Sequence, residues 1–130
     1  MSPTVVDSSA WVDFLRGDEA AVSRVDALLA EGRASLTGPI AAEVLSGARS
    51  SAEYERLRRL FRGLECVPDP IALWPRLAEY RFALARGGFR AGIVDLAIAI
   101  TALDAGREVL TRDRGFLRIR TVVPIELEVF

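Results

Sequence analysis

Four acidic residues lie where a folded chain could bring them together: Asp7, Glu43, Asp95 and Asp113. Asp7 and Asp113 each follow a short apolar run that is typical of a strand. Glu43 lies one turn into the helix predicted after a third strand, and Asp95 heads an apolar helix. Carboxylates gathered without a basic side chain repel one another, and a divalent cation relieves that repulsion. The pattern therefore predicts a site for Mg²⁺ or Mn²⁺ built from carboxylates.

The residue types that the chain lacks narrow the chemistry further. It contains no His, Lys, Asn or Gln, and Cys66 is its one cysteine. Without His there is no Ser-His-Asp triad and no His-ligated zinc site. Without Lys there is no P-loop lysine and no Schiff base. Carboxylates, hydroxyls and arginines remain, and a catalyst made from these is expected to be a cluster of acids that holds a hard cation.

Each acid also has a purely structural interpretation. Asp is a favoured residue at helix N-termini, so Asp7, Asp95 and Asp113 could each cap a helix. Glu43 has no capping role, but its helix face could simply be solvated. Together these interpretations are weaker, because they do not explain why four acids would converge.

The elements that must position these acids alternate along the chain. Its 130 residues, 51% of them hydrophobic, fit one domain spanning residues 1–130. Alternating strands and helices predict an α/β fold with a mostly parallel central sheet of four to five short strands flanked by helices. The predicted strands are Pro3 to Val6, Ala34 to Thr37, Glu65 to Val67, Glu108 to Thr111, and one or two within Val122 to Val129. The first helix is predicted to begin near Ala10, after a capping Ser8 or Ser9, and the long fifth helix to begin near Ile71.

The sequence also bears on where the protein works. No apolar run reaches the roughly 18 residues of a membrane span, and the N-terminus does not resemble a signal peptide. With one cysteine, the chain is expected in a reducing cytoplasm, away from membranes. Cys66, within a predicted strand, is expected to be a small buried hydrophobic residue.

Four stretches of the sequence resemble successive motifs of one protein family. They are VVDSSAWVDFLRG, GPIAAEVLSGAR, GIVDLAIAITAL and VLTRDRGF. In order and spacing they are similar to the motifs of PIN-domain nucleases, particularly VapC-type toxins of bacterial toxin–antitoxin pairs. The resemblance implies a PIN-like domain whose acid quartet falls on Asp7, Glu43, Asp95 and Asp113. It also places Ser8 and Thr111 beside the metal ligands, where they would hold the carboxylates.

The resemblance implies a function and partners as well. The expected activity is a Mg²⁺- or Mn²⁺-dependent endoribonuclease, the toxin of a type II toxin–antitoxin system, which cuts structured cellular RNA such as tRNA or rRNA. A cognate VapB-type antitoxin would lie in a groove near the first, third and fourth helices, and a homodimer is expected. The residues that the resemblance offers for this groove are Trp11, Phe14, Leu45, Leu57 and Phe61.

Arginines flank the last acidic motif. Arg112, Arg114 and Arg118 could grip an RNA backbone beside the cut, or they could form an ordinary solvated rim. Both interpretations stay open at the level of sequence.

Other function classes fit less well. A haloacid-dehalogenase phosphatase needs an Asp two residues after its nucleophile, where this chain has Ser9, and it needs a Lys. A receiver domain lacks the same Lys, and no G-x-G-x-x-G follows the first strand. The remaining alternative is a catalytically silent PIN-fold module that binds RNA or an antitoxin.

Overall fold

A computed structural model describes residues 3–130 as a sheet covered by helices. The strands are β1 Thr4–Val6, β2 Ala34–Thr37, β3 Glu65–Val67, β4 Glu108–Thr111 and β5 Leu127–Val129. The helices are α1 Ser8–Leu15, α2 Glu19–Ala30, α3 Gly38–Ser46, α4 Ser51–Arg62, α5 Leu73–Arg86, α6 Ile93–Ala105 and α7 Phe116–Ile119. None of these helices is long and apolar enough to cross a membrane.

The sheet has the order β3-β2-β1-β4-β5, and all its neighbouring strands run parallel. The predicted α/β class with a parallel sheet of four to five strands is therefore confirmed. Because parallel strands point the same way, their carboxyl ends share one edge of the sheet. β1 lies at the centre, and the chain leaves it directly into α1. Residues that follow β1, β2 and β4 consequently meet at one edge.

The core is built around β1 and α6. Val5 and Val6 of β1 are completely buried, and α6 buries an unbroken run from Leu96 to Ala102. A helix that is apolar on all sides has to be covered on all sides, which explains its lack of a polar face. The hydroxyl of Thr101 in this helix donates to the carbonyl of Ala97 at 2.7 Å, so its burial leaves no unpaired polar group.

Three local predictions were wrong. α1 begins at Ser8 with Asp7 at its N-cap, not near Ala10 behind a serine cap. Helix α5 begins at Leu73, because Ala72 before it takes a left-handed conformation with φ 56°. Cys66 is exposed, and β3 is an edge strand. Of the one or two strands predicted between positions 122 and 129, the described residues form one, β5.

Candidate active site

The four predicted acids lie around the carboxyl edge of the sheet. Asp7 follows β1 directly, Asp113 lies two residues beyond β4, Glu43 is in α3 and Asp95 is in the first turn of α6. Asp7 is only 4% exposed and Asp95 is half-buried, whereas Glu43 and Asp113 are exposed. These four carboxylates form the acid cleft. Their exposure increases from the buried Asp7 to the exposed Glu43 and Asp113.

The pKa of Asp95 is affected by the other three acids. Burial raises its pKa, and repulsion by Asp7, Asp113 and Glu43 raises it further, to about 6. The charges of the other three carboxylates therefore all act on Asp95. No arginine contributes to this shift, and the Asp95 carboxylate accepts no hydrogen bond from residues 3–130. The negative charge of the cleft is thus left without a counter-charge from the described part of the chain.

The residues fit a hard divalent cation. Between residues 3 and 130 no three acidic or cysteine side chains stand at the spacing of a closed metal shell. The donors that face the cleft are all carboxylate and hydroxyl oxygens, which Mg²⁺ and Mn²⁺ prefer. Repulsion between carboxylates opposes their closure, and a cation would remove it. The chemistry of these donors therefore fits Mg²⁺ or Mn²⁺.

Asp7 is held in place by two hydroxyls. Thr111 and Ser9 each donate to its Oδ2 atom at 2.8 Å. The Thr111 hydroxyl also accepts the peptide N–H of Asp113 at 2.9 Å. Although Asp7 occupies the N-cap of α1, its side chain makes no capping hydrogen bond. Capping therefore does not explain this aspartate, whereas orientation of its carboxylate toward the cleft does.

The two serines after Asp7 serve different acids. Ser8 donates to Oε1 of Glu43 at 3.0 Å, a contact with an acid from another helix. Ser9 donates to Asp7, and it accepts the peptide N–H of Arg112 at 3.0 Å. Consecutive helical residues point about 100° apart, so one serine faces α3 and the other faces β4. Sequence reasoning identified Ser8 and Thr111 but missed Ser9, although its hydroxyl next to Asp7 was the available signal.

The carboxylate of Asp113 also stabilises the local backbone before α7, which is a structural role. Its Oδ1 atom accepts the peptide N–H of Gly115 at 2.8 Å, which forms a tight turn before α7. A side chain at position 115 would place its Cβ 3.0 Å from the same oxygen, so glycine leaves the carboxylate room. Asp95, in contrast, lies in the first turn of α6 after the N-cap residue Gly92, and its side chain makes no hydrogen bond with residues 3–130.

Arg112 does not extend toward the cleft rim. Its guanidinium pairs with Asp13 at 3.1 Å and with Asp18, and it lies over the ring of Phe130 at 4.2 Å from the centroid. Two carboxylates and an aromatic face thus occupy this side chain. Arg112 therefore joins α1, the N-cap of α2 and the C-terminal residue, and its contact with RNA stays a prediction.

Arg114 and Arg118 remain at the surface beside Asp113. Both are exposed, and neither pairs with a carboxylate of residues 3–130. The guanidinium of Arg118 lies 5.1 Å above the ring centroid of Phe89. These two arginines therefore keep a positive charge available at the rim.

Three of the proposed groove residues are core residues instead. Trp11, Leu57 and Phe61 are 0%, 3% and 6% exposed, and the rings of Trp11 and Phe61 pack edge-on with centroids 5.0 Å apart. They cannot form a contact surface in this conformation. Phe14 and Leu45 are half-buried and stay partly accessible. The helical spacing predicted an apolar face correctly but not which neighbour would cover it.

A groove opens beside Glu43 between α1, α3 and α4. It encloses about 310 Å³ and is lined by apolar Val12, Leu15 and Val44, with Arg16 and Arg49 at its edge. Because Glu43 also lines this groove, the apolar surface is continuous with one of the four acids.

Comparison with known proteins identifies the family of this fold and site. The family model for the PIN domain matches residues 4–122. Ribonuclease VapC11 of Mycobacterium tuberculosis is 35% identical over 132 residues, covering 97% of this chain and 98% of that protein. VapC ribonuclease Mb1587 of Mycobacterium bovis matches with the same identity and coverage.

Solved structures agree on the fold. DNA-bound VapBC from Salmonella typhimurium superposes with a TM-score of 0.74 at 24% identity, covering 99% of this chain and 98% of that chain. VapBC-5 from Mycobacterium tuberculosis gives a TM-score of 0.67 at 21% identity over the full length of both chains. The chain therefore belongs to the PIN-domain family, within its VapC-type group.

Proposed function

We propose that this protein is a metal-dependent endoribonuclease and the toxin of a type II toxin–antitoxin system. Its substrate is structured cellular RNA, tRNA or rRNA, and it hydrolyses the phosphodiester bond with a metal-activated water. The observation that carries the proposal is the position of Asp7, Glu43, Asp95 and Asp113 around the carboxyl edge of the sheet, where burial and the charges of the other three acids raise the pKa of Asp95. Relatives named ribonucleases over nearly the whole chain support the same activity.

The chain's own side chains divide the work of this reaction. Asp7, Asp95 and Asp113 would hold Mg²⁺ or Mn²⁺, and Glu43 would complete the set or orient a water. Bound there, such an ion lowers the pKa of a coordinated water and stabilises charge on the phosphate oxygens. Thr111 holds the Asp7 carboxylate in one orientation, at 2.8 Å from its Oδ2 atom. Because the carboxylates are oriented before RNA arrives, little reorganisation remains for the reaction itself.

Cleavage of RNA by the purified protein tests this function. Total bacterial RNA is incubated with Mg²⁺, with Mn²⁺ and with EDTA, and Asp95→Asn is run beside the wild type. Asp104→Asn is the matched control, because Asp104 lies on the same helix but pairs with Arg76 at 2.7 Å. Discrete fragments that need metal, vanish in Asp95→Asn and persist in Asp104→Asn are expected. Equal fragments from wild type and Asp95→Asn would refute the proposal.

A catalytically silent RNA- or antitoxin-binding module is the second candidate. It is favoured by the exposure of Glu43 and Asp113, which leaves half of the acid set in solvent. Such a module would bind RNA equally well or better after Asp95→Asn, because one repelling charge is gone. RNA binding that improves in the variant, with no cleavage by wild type under any metal, would select this module.

The proposed protein partner is a VapB-type antitoxin, by analogy with the VapBC complexes that share this fold. The groove beside Glu43 offers an apolar lining for a partner segment, and a basic side chain of that segment could reach the acids. Val12→Glu, which puts a charge into the groove, should abolish co-purification of the antitoxin. Ala20→Glu on the exposed face of α2 is the control and should not.

A homodimer is proposed through the outer face of α5. Ile71 lies just before this helix, and Trp74 and Phe82 lie within it about two turns apart; they are 91%, 61% and 67% exposed. Large apolar residues at such exposure indicate a contact surface. Trp74→Glu should shift the mass in light scattering from dimer to monomer, whereas Tyr54→Glu on α4 should leave it unchanged. The proposed compartment is the cytoplasm, where RNA and antitoxin would meet the protein.

A further inference from the structure

One surface feature beside the acid cleft is not used by the chemistry of the carboxylates. Phe89 lies between α5 and α6, and Arg118 of α7 covers its ring with a guanidinium 5.1 Å from the centroid. No carboxylate of residues 3–130 pairs with Arg118. The exposed guanidinium of Arg118 therefore has the ring of Phe89 as its neighbour instead of an acid of the described chain.

The backbone holds Phe89 rigidly in this place. Helix α5 ends in a turn in which the peptide N–H of Phe89 donates to the carbonyl of Leu84 at 2.9 Å. Gly88 before it has φ +91°, a conformation that glycine adopts without strain. The ring also packs against the hydrophobic core on one side. The turn and this packing therefore position the ring of Phe89. The ring and the guanidinium of Arg118 together form the Phe89–Arg118 platform.

The platform lies next to a proposed metal ligand. A Cβ at Gly115 would be 3.6 Å from Cζ of Phe89 and 3.0 Å from Oδ1 of Asp113. The tip of the ring and the carboxylate thus approach the same point above the turn. A nucleotide whose phosphate is held at the acids would carry a neighbouring base to this platform.

We propose that the Phe89–Arg118 pair is a nucleobase-stacking subsite for the nucleotide next to the cleaved bond. In this subsite the base would stack on the guanidinium of Arg118, which lies next to the ring of Phe89. Aromatic and guanidinium planes are the usual stacking partners of unpaired RNA bases. This inference rests on the proposed ribonuclease function and assigns part of its substrate specificity. It also requires that the base beside the cut is unpaired, since a paired base has no free face.

Two conservative variants separate stacking from charge and from packing. Arg118→Lys keeps the positive charge but loses the plane, and Phe89→Leu keeps an apolar side chain but loses the ring. Arg120→Lys is the control, because Arg120 is exposed and lies over no aromatic ring of the described chain. The probe is a short RNA that contains the site cut by the wild type, together with the same RNA made abasic at the nucleotide beside the cut.

On the intact RNA, Arg118→Lys and Phe89→Leu should lower kcat/KM by about fivefold or more, the range expected for loss of one stacked base. Arg120→Lys should stay within about twofold of wild type. On the abasic RNA, wild type and Arg118→Lys should cleave equally. Wild-type kinetics for Arg118→Lys on the intact RNA, or an equal loss on the abasic RNA, would overturn the subsite.

A binding experiment distinguishes failure of the subsite from failure of the enzyme. In EDTA, a short single-stranded RNA that carries 2-aminopurine reports stacking through quenching of its fluorescence. Quenching by wild type that is weaker with Arg118→Lys supports the subsite even if no RNA is cut, which would refute the nuclease alone. Cleavage by wild type without any difference in quenching or kinetics would refute the subsite alone.

Discussion

Replacement of Asp95 by Asn should stabilise the metal-free protein at neutral pH. The pKa of Asp95 lies at about 6, raised by burial and by repulsion from Asp7, Asp113 and Glu43, whereas the ordinary value is 3.8. The ionised carboxylate therefore costs free energy in the folded state that it does not cost in the unfolded chain. Asparagine has nearly the same shape and no charge, so the variant avoids that cost.

The size and sign of the effect follow from proton linkage. A shift of about two pKa units corresponds to about 3 kcal/mol at most, and screening of a half-buried group by solvent reduces this to about 1–2 kcal/mol. At pH about 4 the carboxyl of Asp95 is protonated in the folded state and about half protonated in the unfolded chain, so little of the cost remains. The unfolding free energy of wild type therefore falls, relative to Asp95→Asn, as the pH rises from about 4 to about 6, and the difference is constant above that.

Urea denaturation in EDTA, followed by the fluorescence of buried Trp11, measures the difference. At pH about 7.5 Asp95→Asn should be more stable than wild type by about 1–2 kcal/mol, and near pH 4 the two should coincide. Asp104→Asn is the control with the opposite sign, because Arg76 lowers the pKa of Asp104. That variant should lose a little stability at neutral pH and none in acid.

Metal should reverse the order of the two proteins. At a hundredfold excess over its Kd, Mg²⁺ adds about 2.7 kcal/mol to a protein that binds it only when folded. Wild type should gain this stability, and Asp95→Asn should gain much less, because a ligand is missing. An Asp95→Asn variant that is no more stable than wild type in EDTA at neutral pH would refute the electrostatic account of the cleft.

Three further substitutions test how the site and core are held. Thr111→Val leaves the peptide N–H of Asp113 without its partner and removes one of the two hydroxyls that donate to the Asp7 carboxylate, so it should cost about 1–3 kcal/mol in urea denaturation. Thr111→Ser should recover this stability, and equal losses in both variants would contradict the role of the hydroxyl. Ser9→Ala should weaken Mn²⁺ binding in calorimetry by about tenfold, and unchanged affinity would assign Ser9 to folding alone. Trp11→Ala should lower the free energy of unfolding by about 3–5 kcal/mol, because Trp11 is completely buried. Trp11→Phe should lower it much less, because the buried indole N–H has no hydrogen-bond partner among residues 3–130 to lose. Similar losses in the two variants would contradict this packing.

The parts of the fold that sequence predicts are those with local causes. Periodic apolar residues, glycine stops and proline at the start of α3 place the elements within a few residues. The acids could also be predicted, since a parallel sheet brings residues after its strands to one edge whatever the loops between them do. Asp7 and Asp113 lie 106 positions apart and still meet there, because β1 and β4 are neighbours.

The parts that sequence does not predict depend on which side chains meet across the fold. The bond from Ser9 to the peptide of Arg112 joins residues that are 103 positions apart. The ion pairs of Arg112 with Asp13 and Asp18 are a second example, because the spacing of these residues in the sequence does not indicate the contact. The exposure of Cys66 follows from the position of β3 at an edge, and strand order is not a local property.

The distribution of ion pairs argues that the charge of the cleft is kept for a ligand. Elsewhere in the chain, carboxylates find arginines: Asp104 is held in two hydrogen bonds by Arg76, and Arg112 takes Asp13 as a partner. The chain has 17 Arg residues for 18 Asp and Glu residues, so partners are not scarce. Yet Asp95 has none, although arginines flank the neighbouring acidic motif. A fold that pairs several other acids with arginines but leaves these repelling carboxylates together forgoes stability at that point, which is expected where an outside cation supplies the missing charge.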